Sequence, residues 1–274
     1  MSMRTPPNIC KVMVFLILFV TTMWGSPKEK ILHSFANNPR GENPYGSLVF
    51  DLSGNLYGAT ANGGTKQAGV VFELALQTDG HWRENVLSSF NGTSGGCCPF
   101  VGLVIDATGN LYGVGVAGGD LNECQGGCGV VFEVSRKSGA GWKQTTLYRF
   151  HGPSKKDGLL PQASLIVDNL GYLYGTTYLR GVYDQGTVYK LTPDTNGRWK
   201  EKVLHNFSDA GGDGALPEGD LVFDAVGNLY GTTYVGGAHG VGTVFEIIQQ
   251  KDGRWKERYC AVSAVRTVKI RQPV

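Results

Sequence analysis

One phrase recurs four times along this 274-residue chain, and its recurrence is the strongest constraint on the fold. It reads, in one copy, Pro217, Leu221-Val-Phe-Asp224, Gly227-Asn-Leu-Tyr-Gly-Thr-Thr233, Gly242-Thr-Val-Phe245 and Trp255. Its tyrosines, Tyr57, Tyr112, Tyr174 and Tyr230, are spaced by 55, 62 and 56 residues. Its tryptophans are Trp82, Trp142, Trp199 and Trp255. A self-similar period of this size signals repeat architecture, in which each unit buries its faces against its neighbours.

Each copy holds four short strand candidates. Strand a is Leu48–Asp51, Leu103–Asp106, Leu165–Asp168 and Leu221–Asp224; strand b is the Leu-Tyr-Gly segment at each tyrosine. Strand c is Val70–Glu73, Val130–Glu133, Thr187–Lys190 and Thr243–Glu246; strand d runs from each tryptophan to Phe90, Phe150 and Phe207. Strands a and c are near-continuous runs of β-branched and aromatic residues, the pattern of strands buried on both faces. With 41 glycines and 18% charged residues, and no lasting 3.6-residue apolar period after the first 26 residues, helices are not expected. The fold predicted is all-β: a β-propeller-like array of four four-stranded antiparallel blades, as a truncated or incompletely closed ring. Asp-x-x-Gly turns join a to b, and Asp79-Gly80, Asn196-Gly197 and Asp252-Gly253 join c to d.

Two of the four connections have constant length. Strand-a Asp to tyrosine is always six residues, and the strand-c aromatic to tryptophan always ten. The d-to-a stretch varies, with Phe-to-Pro steps of 9, 9, 11 and 10, and so does b-to-c, with Gly-to-Gly steps of 11, 16, 11 and 11. In an up-and-down meander these two variable connections emerge at the same end of the sheet. Variable loops on a constant scaffold are where binding is expected. The ligand-binding candidates are therefore Asp120 and Glu123 in copy two, Tyr178, Arg180, Tyr183 and Asp184 in copy three, and Tyr234 and His239 in copy four. Aromatic and charged side chains together suit a glycan or an extracellular protein. The recurrent Trp, Tyr and Phe residues are expected to be core, and His33 and His205 to be ordinary strand residues.

The Asp-x-x-Gly-Asn-Leu-Tyr-Gly-Thr-Thr and Gly-Thr-Val-Phe phrases, with Leu-His-x-Phe at Leu204–Phe207, resemble the GloVer (Gloeo/Verruco) tandem repeat. The resemblance covers about residues 30 to 256 and implies a secreted bacterial protein with propeller-like repeats; it implies no particular activity. The end departs from the pattern. After Trp255–Tyr259 the Leu-x-x-Phe is missing, and 261–274 form a tail without repeat or anchor character, as in a truncated or frame-altered array. Lys30–Phe35 conversely reads as a strand d without its tryptophan.

Residues 1–26 have the layout of a secretory signal peptide, leaving 27–260 as the repeat domain. Val12–Val20 is too short to span a bilayer, so a secreted or cell-envelope location is expected, without a stable membrane span once the leader is removed. Export favours disulfides among Cys97, Cys98, Cys124 and Cys128, all in the variable loops of copy two. Cys124 could close a small loop with Cys128, leaving Cys97 beside Cys98, or bridges could join the two loops. No metal site, cofactor or catalytic residue is called for. Net charge is +2 without a basic run, so nucleic acid is not an expected partner. A non-enzymatic binding protein is the first reading. A propeller hydrolase or lyase using loop carboxylates and His239, and a fragment of a longer repeat protein, are the alternatives.

Overall fold

The computed structural model describes residues 29–36, 39–250 and 254–259; the predicted leader and tail lie outside them. Each copy forms one antiparallel sheet in sequence order. Blade 1 is β1 (Val49–Phe50), β2 (Leu56–Thr60), β3 (Val70–Leu76) and β4 (Trp82–Ser89). Blade 2 is β5 (Val104–Ile105), β6 (Leu111–Gly115), β7 (Val130–Arg136) and β8 (Trp142–Arg149). Blade 3 is β9 (Ile166–Val167), β10 (Leu173–Thr177), β11 (Thr187–Pro193) and β12 (Trp199–Asn206). In copy four, β13 (Gly214–Ala215) precedes β14 (Val222–Phe223) and β15 (Leu229–Thr233). There β16 (Val235–Gly236) pairs with β13, and β17 (Thr243–Gln249) and β18 (Trp255–Tyr259) complete the blade. No helix occurs among the described residues. The fold is therefore the expected all-β array of four four-stranded blades, and among the described residues the sheets do not close into a ring.

The a-to-b turn is built by its aspartate. Asp51 Oδ1 accepts hydrogen bonds from the amides of Ser53 and Asn55, while Oδ2 accepts from Asn55 Nδ2 and the Tyr57 hydroxyl. Asp106 and Asp224 repeat the arrangement. The tyrosine hydroxyl also meets the strand-c glutamate, at 2.8 Å for Tyr57 and Glu73 and 2.6 Å for Tyr230 and Glu246. In blade 3 that glutamate is Lys190, whose ammonium lies over the rings of Tyr172 and Tyr174 instead. This explains how copy three tolerates Tyr172 where the other turns have Asn: the ring faces a cation rather than the carboxylate.

Strand c is the buried centre of the sheet in blades 1–3, as its continuous apolar run predicts, while β17 of blade 4 is exposed at Val244. Strand a differs from expectation, pairing over two residues only and remaining half-exposed, because the Asp turn begins immediately after them. Each c–d pair of blades 1–3 carries an irregularity that leaves one extra residue on strand d: Leu87, Leu147 and Leu204. A bulge of this kind increases twist and re-aims a side chain. Here it directs the leucine of Leu-x-x-Phe into the core shared with the next blade.

Three repeated contacts join successive blades. The strand-d phenylalanine meets the next strand-c aromatic edge-on, with centroids 4.9 Å apart for Phe90 and Phe132, 5.1 Å for Phe150 and Tyr189, and 5.1 Å for Phe207 and Phe245. The tyrosine of one blade meets the tryptophan of the next, as Tyr57 meets Trp142 and Tyr174 meets Trp255. These tryptophans are half-buried rather than core: they pack against the edge of each junction's apolar cluster, and in Trp142 the Arg136 guanidinium lies over the ring. Third, the glycine opening strand c packs on the next blade's proline. A Cβ at Gly129 would fall 2.4 Å from Pro161 Cδ, and its φ of +100° also requires glycine.

Lys30–Phe35 is not a strand. Among the described residues it pairs with no strand c, yet Phe35 still seats on Phe72 with centroids 5.0 Å apart, as a strand-d phenylalanine does on the next strand-c aromatic elsewhere.

Candidate functional site

The two variable connections do share one end of each blade. Backbone bridges tie d-to-a residues to b-to-c residues in every copy: Glu42 with Asn62, Cys97 with Ala117, Leu159 with Leu179, and Gly214–Ala215 with Val235–Gly236. Cystines fasten this end in copy two, joining Cys97 to Cys98 and Cys124 to Cys128. The second lies against the following d-to-a loop, since a Cβ at Gly152 would fall 2.9 Å from Cys124 Sγ and 3.2 Å from Cys128 Sγ.

The candidates named from sequence lie on these loops as separate groups. Asp120 accepts from the amides of Asn122 and Glu123, which folds its own turn. Arg180 and Asp184 form an ion pair at 3.0 Å, both at positive φ. Tyr183, Tyr234, His239 and Glu123 are exposed, and Tyr178 is half-buried. The bonds of Asp120, Arg180 and Asp184 stay within their own loops, and none of these candidates lines the cleft between blades 2 and 3.

This is an open cleft of about 520 Å³ at the junction of the two blades, lined by Tyr148, Lys155, Asp157, Trp199, Lys200 and Glu201. Blade 2 contributes the end of β8 and its d-to-a loop; blade 3 contributes the start of β12. This loop has the longest Phe-to-Pro step of the four and contains Asp157, which stands four residues before its proline as Asp213 does in the next loop. Asp157 is 3% exposed. It accepts from the Tyr148 hydroxyl at 2.7 Å and from the His151 amide at 3.0 and 3.1 Å, and lies 3.0 Å from His151 Nδ1. Lys155 Nζ stands 3.2 Å from His151 Nε2. Four contacts from two residues thus fix the carboxylate at the cleft wall, and burial with its charge pushes the Tyr148 phenol well above its ordinary value.

Glu201 faces this group. Burial, helped by the negative charge of Asp157 and only partly offset by Lys155, pushes its carboxyl up to about 8. Its Oε1 is buried without a hydrogen-bond partner in the protein. The cleft therefore presents a fixed acceptor carboxylate, a carboxyl protonated at neutral pH and ready to donate, two lysines and a half-exposed indole.

The same geometry recurs at each junction with different chemistry. The residue after the bulged leucine meets the third residue of the next strand d. At the Ser88 junction, its hydroxyl donates to Gln144 Oε1 at 2.6 Å, and Gln144 Nε2 donates to the Gly95 carbonyl. His205 Nε2 lies 3.2 Å from Glu257 Oε2 and 3.3 Å from Asp213 Oδ1, and His33 Nε2 lies 3.3 Å from Glu84 Oε2. The histidines are thus junction residues and not plain strand positions. His205, Asp213 and Glu257 converge closely enough to hold a divalent cation, a set the sequence reading did not name. His33 and Glu84 meet in the same way with Arg40 as third member, so the arrangement also stands without one.

Sequence reasoning missed Asp157, Glu201 and Tyr148. The signal available was loop length: the longest d-to-a step contains Asp157. The Glu201 position is polar in all four copies (Glu84, Gln144, Glu201, Glu257), which no strand-alternation argument requires.

Among solved structures, the chain is similar to a candidate 6-phosphogluconolactonase from Bacteroides uniformis, at 17% identity and TM-score 0.49, covering 83% of this chain and 58% of that one. It is similar to a protein of unknown function from Dyadobacter fermentans, at 12% identity and TM-score 0.46, covering 81% and 70%. An endo-arabinanase from Bacillus licheniformis matches at 13% identity and TM-score 0.41, covering 80% and 79%. The chain thus spans little more than half the length of the first of these. No curated protein matches. The sequence model of the Gloeobacter/Verrucomicrobia repeat matches residues 17–245, and the chain belongs to that family.

Proposed function

We propose that this is an exported glycan-binding repeat protein whose ligand seats in the cleft between blades 2 and 3. The observation that carries the reading is the lining: a half-buried tryptophan beside a rigid carboxylate, a protonated carboxyl and two lysines, in a concave site. An aromatic face takes the apolar CH face of a sugar ring, while fixed acceptors and donors take its hydroxyls. The variable-loop end remains part of this proposal, because Lys155 and Asp157 come from one of its loops. Export rests on the leader-like first 26 residues.

Glycan-array screening followed by calorimetric titration of the full mature chain tests it. Trp199→Ala and Asp157→Asn should each weaken glycan binding at least tenfold while Tyr183→Ala leaves it unchanged. Binding indifferent to both cleft substitutions would show that the ligand sits elsewhere, on the loops or on a protein partner. Glycan hydrolysis is the second reading, favoured by the raised carboxyl of Glu201 in the same cleft as the hydrogen-bonded Asp157, since glycoside hydrolysis uses two carboxyl groups. Release of reducing ends by the wild type, abolished by Glu201→Gln with binding kept, would establish it.

A further inference from the structure

The two ends of the array expose the surfaces that its three internal junctions bury. On the face each blade turns to its successor, Val71, Val131 and Val188 are 0% exposed, whereas the equivalent Val244 is 55% exposed. Ala59, Val114 and Thr176 are buried there, whereas the equivalent Thr232 is exposed. On the face each blade turns to its predecessor, Leu103, Leu165 and Leu221 are 6%, 1% and 1% exposed, whereas the equivalent Leu48 is 48% exposed. Pro99, Pro161 and Pro217 are buried on the preceding blade's glycine; Pro44 is exposed, and the three atoms nearest the Cβ position of Gly242 belong to Thr233 and Tyr234 and not to a proline.

The strand-d halves are complementary as well. Blade 4 has the first half, Trp255–Tyr259, paired with β17 from Gln249 to Phe245. No Leu-x-x-Phe follows Tyr259 in this sequence, and Leu32-His-Ser-Phe35 has the pattern of such a half. It is already seated as that half would be. Phe35 lies on Phe72, His33 lies edge-on to Phe35 at 4.7 Å as His205 does to Phe207, and His33 meets Glu84 as His205 meets Glu257. In blades 1 and 3, strand-c Val71 and Val188 stand opposite Ser88 and His205. The same register places His33 opposite Val244.

We infer that blade 4 of one copy docks on blade 1 of a second copy, with Leu32–Phe35 completing the strand d of blade 4. The contact is heterologous, head to tail, and reproduces an interface the chain already makes three times within itself. Two copies joined at both ends give a closed ring of eight blades, within the range propellers adopt, and leave no bare sheet face. Strand completion supplies backbone hydrogen bonds, and Pro44 on Gly242 with Leu48 on the Val244 face supplies the packing.

Sedimentation equilibrium and light scattering on the mature chain should find a dimer. Val244→Arg and Leu48→Arg, both at exposed positions of the single chain, should leave circular dichroism and thermal midpoint unchanged. Each should raise the dimer dissociation constant about 30-fold or more, the size of losing one interface hot spot. Mixing the two variants restores one intact junction, so labelled Val244→Arg and Leu48→Arg chains should associate with each other but not with themselves. A monomer at every concentration overturns the inference, as does a dimer lost through only one of the two substitutions, which would be a symmetric contact.

Discussion

Replacing Glu201 by Gln tests the electrostatics of the cleft directly. An ordinary glutamate titrates near 4.5, and this one is pushed up to about 8. Between those values the folded chain keeps a proton that the unfolded chain has released, so the native state binds more protons and stability falls as pH rises. The contribution is fully present below about 4.5 and is lost as pH passes through about 8. One pKa unit corresponds to about 1.4 kcal/mol, so the full displacement would be about 5 kcal/mol. The cleft is open to solvent and Glu201 is only half-buried, and screening brings the expected loss nearer to 2–3 kcal/mol. Glutamine keeps the shape and cannot ionise. Urea denaturation of both proteins from pH 4.5 to 9 should therefore show equal stability at the acid end. At pH 8.5 the variant should be about 2 kcal/mol the more stable. The difference between the two proteins is the readout, since Glu84 and Glu133 are raised too and bend both curves alike. A difference that is flat across the range, or of opposite sign, would refute the assignment of a buried, protonated Glu201.

Phe132→Ala, which empties a fully buried site between blades 1 and 2, should cost about 3–5 kcal/mol. Trp142→Ala, half-buried against Tyr57 and stacked by Arg136, should cost nearer to 2 kcal/mol in the same denaturation series. Tyr178→Ala should stay within about 0.5 kcal/mol of wild type; a large loss there would mean that the loop is part of the core. Thiol counting on the unreduced mature chain should find Cys124 and Cys128 joined. Replacing both by Ser should cost about 2 kcal/mol, the entropy of so small a loop, and weaken ligand binding in the cleft because Gly152 leans on that cystine. Free thiols at both positions would exclude this.

Blade boundaries were legible because glycine, aspartate and tyrosine recur at fixed spacing for reasons internal to one sheet. The Asp51 turn, the Tyr57–Glu73 pair and the Gly-x-Val-Phe opening each need only neighbours in sequence or in register. The shared end of the variable loops was legible on the same ground, since connectivity in a meander dictates it. Burial of the tryptophans was misread. Fixed spacing establishes that Trp142 has a repeated partner, but not that the partner covers both faces of the ring. The variable-loop candidates were chosen for being aromatic or charged, a property that says nothing about where loops of different blades converge.

The cleft was illegible for a related reason. Tyr148 and Glu201 are 53 positions apart, and they meet because a bulge at Leu147 twists the outer strand until its end reaches the start of the next blade's outer strand. That convergence recurs at every junction, so the scaffold brings two side chains together four times without fixing what they are. The outcomes are Ser88 with Gln144, Tyr148 with Glu201, His33 with Glu84 and His205 with Glu257. Chemistry that varies at constant geometry is free of the packing demands that hold Tyr57 or Phe132 in place. Junction chemistry, more than the loops, is therefore where copies of this repeat have room to differ in what they bind. The 520 Å³ cleft opens where the longest d-to-a loop meets the junction and leaves Trp199 half-uncovered. Shortening that loop by removing Lys155 and Lys156, which matches its length to the 9-residue steps from Phe35 to Pro44 and from Phe90 to Pro99, should close the cleft and abolish binding there without unfolding blade 3.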